Sequence, residues 1–292
     1  MEELGIILVR GLGLGAVYAL IAMSLNAIHR ASGIFNFAQG TLFVVAGILA
    51  ALTMPASPNP YLWLAVLPLA AITLAVAMAA QGYLTLLPLR SSVEQHSWLV
   101  STLAVSVLIG AVILLIQGNN QVLTTSQFPS FPVFGTRTPA PYILAIIAAL
   151  FWYGALRWFH TKTLTGLSIS AIAQDLDAAR AAGLRVRRLQ VMAFGLSGLI
   201  IGSAGFISAP IIALANDSGL PYVTNGFVAA VVGGIGSDTG ALIGGALVGV
   251  ISMYAAFEYG GEFQNVVTLG VLILVLMIRP EGLFGTPAAR KV

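Results

Sequence analysis

The chain has 292 residues, of which 58% are hydrophobic and only 8% are charged, with 13 basic and 10 acidic side chains and a formal net charge of +3. Soluble domains carry about 25% charged residues, so this composition excludes a soluble globular protein. It predicts an all-α, polytopic integral membrane protein that folds as a single transmembrane domain over residues 1–292. Cysteine is absent, which excludes disulfides, thiolate metal sites and cysteine nucleophiles.

About eight segments are apolar enough to be transmembrane elements, because a spanning helix needs about 20 mostly apolar residues. They are residues 11–28, 34–54, 61–87, 97–117, 141–156, 189–215, 222–257 and 263–278. Turn-forming sequences such as PASPNP and NDSGLP separate several of them. The first segment lacks the basic region and cleavage site of a signal peptide, so we expect it to be retained as a span.

Two of these segments contain glycine-bearing polar breaks. GGIGSDTG, residues 233–240, interrupts the segment 222–257 and leaves a first limb too short to cross, since 15 residues of helix reach only about 22 Å. SGIFNFAQGTLFVVAGILA, residues 32–50, carries a comparable break in the first half. Broken helices in both halves of a chain indicate a transporter's central pathway. The pattern therefore predicts Gly-broken or re-entrant helices and a remote internal repeat.

Each break contains polar residues with two open interpretations. Asn36, Gln39 and Gly40 begin a helix, either through an Asn cap at the interface or as a helix start that faces a polar group in the pathway. Asp238, with Gly236 and Ser237 before it, either caps a helix within a turn or acts on substrate or gating.

Charge is concentrated in residues 157–188, which hold eight charged side chains, whereas residues 31–89 hold none. Within this island, residues 166–183 place Ile169, Ile172, Ala173 and Leu176 on one helical stripe, so we expect one amphipathic helix outside the bilayer. Gly183 is suited to close that helix in the left-handed conformation. Basic residues favour the cytoplasmic side, which predicts an inward-facing island with only Arg10 and Arg137 among the basic residues outside.

Several functions lack the residues they require. Neither Lys162 nor Lys291 follows a glycine, so there is no phosphate-binding loop and any ATP must be hydrolysed by another subunit. His29, His96 and His160 are scattered without metal-ligand spacing. We therefore expect no catalytic residue, no metal site, no cofactor and no nucleic-acid partner.

Glycines also recur at four-residue spacing, which allows close helix packing in lipid. Intramolecular packing is the favoured interpretation and a dimer contact the other. The pairs are Gly11 and Gly15, Gly198 and Gly202, Gly240 and Gly244, and Gly245 and Gly249.

Four ordered motifs give the chain a family resemblance over about its whole length. They are IFNFAQGTLFVVAGILA, AIAQDLDAARAAGL, VAAVVGGIGSDTGALIGGALVGV and RPEGLFG. Together they resemble the permeases of branched-chain amino acid ABC importers, specifically the shorter of the two permease subunits. Two departures stand out, since Gln39 occupies a position that is often His, and Ser168 and Ser170 occupy positions that are often basic.

The resemblance implies roles for individual residues and for partners. The pathway residues would be Asn36, Phe37, Gln39, Gly40, Gly236, Ser237 and Asp238. The residues that dock on the ATPase would be Gln174, Asp175, Asp177, Ala178, Ala179, Arg180 and Gly183, within a cytoplasmic coupling segment of about residues 160–188. The partners would be a second permease subunit, as a heterodimer or homodimer, two ATP-binding subunits and a periplasmic substrate-binding protein in the bacterial inner membrane.

The expected function is translocation of branched-chain or related amino acids by alternating access, driven by a separate ATPase. Urea and other small amides remain alternative cargoes, because permeases for them share the scaffold. The alternative class is a stand-alone secondary transporter in which Asp238 couples an ion gradient to transport. An intramembrane enzyme lacks the paired carboxylates, metal cluster or Ser/His arrangement it would need.

Overall fold

The computed structural model describes residues 2–54, 59–86, 97–118, 121, 124, 128–133, 136–212, 214–215 and 217–285. The features predicted at Arg90, His96, Arg290 and Lys291 lie outside these residues.

The described residues form eleven α-helices and one short antiparallel hairpin. The elements are α1 (Glu2–Ser32), α2 (Gln39–Thr53), α3 (Pro60–Leu86), α4 (Ser97–Gln117), β1 (Phe131–Val133), β2 (Thr136–Thr138), α5 (Ala140–Lys162), α6 (Leu164–Gln174), α7 (Leu176–Ala181), α8 (Val186–Ser208), α9 (Gly219–Gly233), α10 (Asp238–Tyr259) and α11 (Phe263–Ile278). Six of these helices, α1, α3, α4, α5, α8 and α10, are long and apolar enough to cross a membrane. The prediction of an all-α polytopic membrane protein is therefore confirmed.

Most predicted spans correspond to helices, and α4 and α11 have the predicted bounds. The first span is longer than predicted, since α1 covers Glu2–Ser32. The segment predicted at residues 189–215 is wrong at its end, because α8 stops at Ser208. Pro210 accounts for this early end, because it has no N–H with which to continue the helical hydrogen bonds.

Two short helices meet inside the bundle and then run in opposite directions. Helix α2 leads toward the start of α3, where the Trp63 indole donates to the Ala50 carbonyl at 3.2 Å. Helix α9 leads toward the other end of the bundle, near the C-terminus of α1. Their first turns are in contact, because a Cβ built on Gly40 would overlap the Gly219 carbonyl. Each follows a long helix, so residues 2–53 and 186–233 have the arrangement of an inverted repeat.

The glycine pairs at four-residue spacing pack within the chain, as the favoured interpretation predicted. Gly15 and Gly249 bring α1 and α10 into backbone contact, and Gly198 brings α8 against Ala75 of α3. In each case a Cβ would meet backbone atoms of the neighbouring helix. Lipid supplies no hydrophobic force between spans, so close backbone approach of this kind is a main source of their association.

The two ends of the bundle differ in charge. Arg30, the island at residues 157–188 and Arg279 lie at the end formed by the C-terminus of α1, which we call the basic end. Arg10 and Arg137 lie at the opposite end, with the start of α1 and the hairpin. At the basic end, the N–H groups of Leu283 and Phe284 donate to the Val232 and Gly233 carbonyls and so satisfy the end of α9.

The contact between the two short helices gives a test of the fold. We expect Gly40→Ala to lower the free energy of unfolding by about 1–3 kcal/mol, because the new methyl group would displace the Gly219 backbone. Gly154→Ala is the matched control, since Gly154 lies in α5 with open space around its Cβ position. Thermal unfolding in detergent micelles checks both, and equal midpoints for the two variants would contradict the packing.

Candidate functional site

Helix α1 carries a line of polar side chains through the centre of the protein. Tyr18, Ser24 and Asn26 are fully buried, and Arg30 is partly buried near the end of the helix. Tyr18 and Ser24 bond α9 and α8, and Asn26 and Arg30 both bond the turn at Gly236. Buried polar groups in a membrane protein need such partners, because hydrocarbon provides none.

The middle of this line is a cluster around Gln39, the first residue of α2. The Gln39 side-chain nitrogen donates to the Ser24 hydroxyl at 2.8 Å and also to the Ser197 hydroxyl on α8. The two hydroxyl oxygens are 2.7 Å apart. The cluster therefore joins α1, α2 and α8 beside the point where α2 and α9 meet.

Asn36 forms a second buried cluster beside the first. Its side-chain amide and that of Gln81 on α3 exchange two hydrogen bonds, both 2.9 Å long. Its oxygen also accepts from the Ala38 N–H at 3.1 Å. Ala38 occupies the N-cap position of α2 and makes no side-chain cap bond, so among the described side chains only Asn36 accepts from this N–H group. The predicted place of Asn36 at the interface is wrong, because its side chain is fully buried. The two hydrogen bonds to Gln81 also connect this part of the chain to α3.

At the basic end, α1 holds the turn between α9 and α10. Asn26 accepts from the Gly236 N–H at 3.0 Å and donates to the Ser237 carbonyl at 3.2 Å. Arg30 donates to the Gly236 carbonyl and forms an ion pair with Asp238 at 3.3 Å. We call these five residues the clasp.

Within the clasp, Ser237 has the capping role that was predicted for Asp238. The Ser237 hydroxyl is the N-cap of α10, because it accepts from the Gly240 N–H at 3.0 Å. Asp238 is the first residue of the helix, and its carboxylate bonds Arg30 instead. The interpretation of Asp238 as the cap is therefore wrong. The negative charge of Asp238 is still favourable at this position, because the N-terminus of α10 carries a partial positive charge.

The amphipathic helix predicted over residues 166–183 is two helices, α6 and α7. Asp175 separates them in extended geometry, with φ −153° and ψ 108°, and its carboxylate accepts from the N–H groups of Asp177 and Ala178. The hydrophobic pattern continues through this position, but the Asp175 cap satisfies the first N–H groups of a new helix, so a new helix begins there. Gly183 adopts φ +83°, the left-handed conformation that was predicted after the helix.

The apolar side of this segment packs on the bundle and the other side is exposed. Ile169 contacts the cluster that contains Ala31 of α1, and Ile172 packs with Ala179 and Val186. Ala173, predicted on the buried stripe, is exposed. Among the predicted docking residues, Ala179 is buried; the exposed ones are Gln174, Asp175, Asp177, Ala178, Arg180 and Gly183.

The two predicted sets of pathway residues occupy separate places that α1 connects. Gln39 and Gly40 are fully buried near Ser24. Phe37 is half-buried, with its ring 6.3 Å from that of Phe227. Gly236, Ser237 and Asp238 belong to the clasp. Sequence reasoning missed the partners Ser24, Asn26, Arg30, Gln81 and Ser197. A polar or ionisable side chain inside a long apolar segment was the available signal.

The sequence relationship of the chain agrees with this arrangement. A family model described as "Branched-chain amino acid transport system / permease component" matches residues 7–276. The chain belongs to this family. It is a multi-pass membrane protein and the permease subunit of an ABC importer, so the resemblance found in the sequence motifs is confirmed.

Several relatives match almost the whole chain, and three of them are described here. The high-affinity branched-chain amino acid transport system permease protein BraD of Pseudomonas aeruginosa is 27% identical, over 98% of this chain and 97% of its own length. The corresponding LivH proteins of Salmonella typhimurium and Escherichia coli K12 are each 28% identical, over 97% of this chain and 96% of their own length. No solved structure matches the chain.

The clasp predicts an asymmetry between its two charged members. Arg30→Met removes the ion pair and also the donors to the Gly236 carbonyl, whereas Asp238→Asn leaves those donors in place. We expect Arg30→Met to cost about 2–4 kcal/mol of unfolding free energy and Asp238→Asn about half as much. In thermal unfolding the double variant should lose less than the sum of the two single losses. Additive losses, or a larger loss for Asp238→Asn, would contradict this geometry.

Proposed function

We propose that the protein imports branched-chain or related amino acids across the bacterial inner membrane, driven by a separate ATPase. The names of its relatives support this cargo class. Urea and other small amides stay as alternative cargoes. The chain makes and breaks no covalent bond. It transports its cargo by binding it differently in an outward-open and an inward-open conformation.

The observation that carries this proposal is the shape of α6 and α7, which form most of the coupling segment predicted at about residues 160–188. It lies at the basic end, where the positive-inside rule predicts the cytoplasm. Its exposed side presents Asp177 and Arg180, which bond each other at 3.3 Å. Its other side is fixed to the bundle by buried Ile169, Ile172 and Ala179. Such a segment can receive a push from a soluble partner and transmit it to the spans.

A continuous set of contacts leads from the coupling segment to the broken helices. Ile169 packs on Ala31, which is next to Arg30 of the clasp. Within the clasp, Asn26 and Arg30 of α1 bond the turn between α9 and α10. A cavity of about 490 Å³ lies between these parts; its lining includes Ile172, Ala173, Leu176, Arg30, Gly236 and Gln190. We infer that a push on α6 narrows this cavity and shifts the turn.

The proposal implies partners that supply what the chain lacks. ATP must be hydrolysed by two ATP-binding subunits, because the sequence has no phosphate-binding loop. A periplasmic binding protein would deliver cargo to the end that carries Arg10 and Arg137. A second permease subunit, identical or different, would complete the membrane assembly.

Charge reversal on the coupling segment tests its docking role. We expect Asp177→Lys to reduce ATP-driven leucine uptake more than tenfold, because a mismatched charge at a protein interface costs several kcal/mol. The side chain is 90% exposed, so the fold should be retained. Glu262→Lys, an exposed charge reversal at the opposite end, is the matched control and should transport normally. Uptake into proteoliposomes of the complete assembly measures this, and normal uptake by Asp177→Lys would defeat the assignment.

Gly183 tests the same segment through the backbone. Gly183→Pro cannot adopt φ +83° and loses the N–H that donates to the Arg180 carbonyl at 3.0 Å. We expect ATP hydrolysis by the assembly to become uncoupled from uptake while the membrane helices keep their thermal stability.

The driving force separates this proposal from an ion-coupled transporter. A reconstituted chain that accumulates leucine under a proton or sodium gradient without ATPase would support the ion-coupled class. The pairing of Asp238 with Arg30 counts against that class, since a coupling carboxylate has to be free to exchange its ion.

A further inference from the structure

A recess of about 510 Å³ lies at the basic end of the bundle, between α3 and α8. We call it the arginine recess, and its lining residues are Tyr83, Arg187, Arg188, Val191 and Met192. Tyr83 belongs to the last turn of α3, and the other four belong to the first two turns of α8. The two helices are in close contact here, because a Cβ built on Gly82 would overlap the Phe194 ring. The packing of two spans therefore fixes the walls of the recess.

The recess contains two positive charges that the described residues do not neutralise. The Arg187 guanidinium lies over the Tyr83 ring, with its central carbon 5.3 Å from the ring centroid. Its Nε and Nη2 atoms have no hydrogen-bond partner among the described residues. Neither Arg187 nor Arg188 forms an ion pair with an acidic residue that the structure describes. Arg187 is half-buried and Arg188 is exposed, so a ligand in the recess can reach both side chains.

The geometry of these donors matches an oxyanion. The two unpartnered atoms of Arg187 form one edge of its guanidinium group, and such an edge donates two parallel hydrogen bonds to a phosphate or carboxylate. The first turn of α8 carries partial positive charge and contains no acidic residue. Two arginines add like charge to this helix end, which is unfavourable unless an anion binds there. The rim of the recess is therefore an anion site without its anion partner in the described part of the chain.

The floor of the recess is apolar and extends toward the membrane interior. Val191 and Met192 lie about 6 Å deeper along α8 than the arginines, since a helix rises about 1.5 Å per residue. Met192 is 52% exposed and Leu84 on the adjoining face of α3 is 66% exposed, so the apolar surface continues along the outside of the two spans. A free phosphate would leave this surface uncovered, and a soluble protein domain does not enter the hydrocarbon. A phospholipid supplies both a phosphate for the rim and an acyl chain for the floor.

We propose that the arginine recess binds an anionic phospholipid from the leaflet at the basic end, a site that goes beyond the proposed function and holds for any cargo. The lipid phosphate accepts from Arg187 and Arg188, and the beginning of an acyl chain contacts Val191 and Met192. In phosphatidylglycerol the phosphate keeps its negative charge, whereas in phosphatidylcholine a cation in the same headgroup compensates it. Only residues 182–185 separate α7 from α8. A bound lipid therefore also holds the end of the coupling segment at the membrane surface.

The first test is native mass spectrometry of the full chain, titrated with phosphatidylglycerol in detergent. We expect the double variant Arg187→Gln/Arg188→Gln to bind phosphatidylglycerol about tenfold more weakly than the wild type, because it loses both charges that attract the lipid. Arg157→Gln/Arg279→Gln is the matched control, since it removes the same charge from exposed arginines at the same end but outside the recess. Equal weakening in both double variants, or equal affinity of the wild type for phosphatidylglycerol and phosphatidylcholine, would overturn the proposal.

Thermal unfolding with and without lipid is a second readout of the same variants. Phosphatidylglycerol should raise the unfolding midpoint of the wild type and of the control, because a ligand that binds only the folded state stabilises it. Without lipid, Arg187→Gln/Arg188→Gln should unfold close to the wild-type midpoint, since neither arginine forms a hydrogen bond or ion pair with a described residue. Its midpoint should not respond to phosphatidylglycerol. A response equal to that of the wild type would count against the site.

The floor of the recess is tested by Met192→Trp, which leaves both arginines in place. We expect this variant to bind phosphatidylglycerol about fivefold more weakly, because the larger ring occupies the space of the acyl chain. Met277→Trp, the same change at an exposed residue near the end of α11 on the same side of the membrane, should bind like the wild type. Normal binding by Met192→Trp would overturn the assignment of the floor to an acyl chain.

Two other ligands of the arginines would give different results. Displacement of phosphatidylglycerol by an excess of inorganic phosphate would assign the rim to a soluble anion and overturn the lipid site. Arg187→Gln/Arg188→Gln might instead keep phosphatidylglycerol and no longer co-purify with the ATP-binding subunits. That result would assign the two arginines to a protein contact and would also overturn the proposal.

Discussion

The polar side chains of α1 are the constraint on which the rest of the structure depends. In lipid, helices are not held together by a hydrophobic force, so glycine-mediated packing and buried hydrogen bonds must do it, at about 0.6–2 kcal/mol for each bond. Tyr18, Ser24, Asn26 and Arg30 place such bonds at successive depths of one helix. Tyr18 bonds α9 and α11, Ser24 bonds α2 and α8, and Asn26 and Arg30 both bond the turn before α10. Helix α1 is therefore tied to several other parts of the chain.

The two short helices explain why such a line is needed. Helices α2 and α9 begin in contact at Gly40 and Gly219 and end at opposite ends of the bundle. Two helix N-termini bring partial positive charges together, and a turn precedes each helix. Such segments are stable at membrane depth only where protein satisfies them. The Gln39 cluster supports the start of α2, and the clasp holds the turn that follows α9. Under the proposed function, these are the elements that a movement of the coupling segment would shift.

The sequence predicted features that have local causes. The bounds of α4 and α11, the break after Gly233 and the left-handed Gly183 follow from apolar length and glycine chemistry close in the chain. The predictions were wrong where a side chain could bond either to its neighbours in the sequence or to residues far along the chain. The Asp175 cap interrupted a continuous hydrophobic stripe, and Asn36 bonded Gln81 as well as the start of α2. The pairing of Ser24 with Ser197 joins residues 173 positions apart, and nothing local in the sequence specifies it.

The proposed function requires that a separate ATPase subunit binds the coupling segment from the cytoplasm and thereby changes the conformation of this protein. Because the chain contains no cysteine, a single Ala178→Cys provides a unique crosslinking point on an exposed residue of α7. In right-side-out membrane vesicles of the complete assembly, the account predicts a crosslink from this cysteine to the ATPase subunit and no labelling by a membrane-impermeant maleimide added outside. Labelling from the outside, or the absence of any crosslink to an ATPase in a transporting assembly, would contradict it.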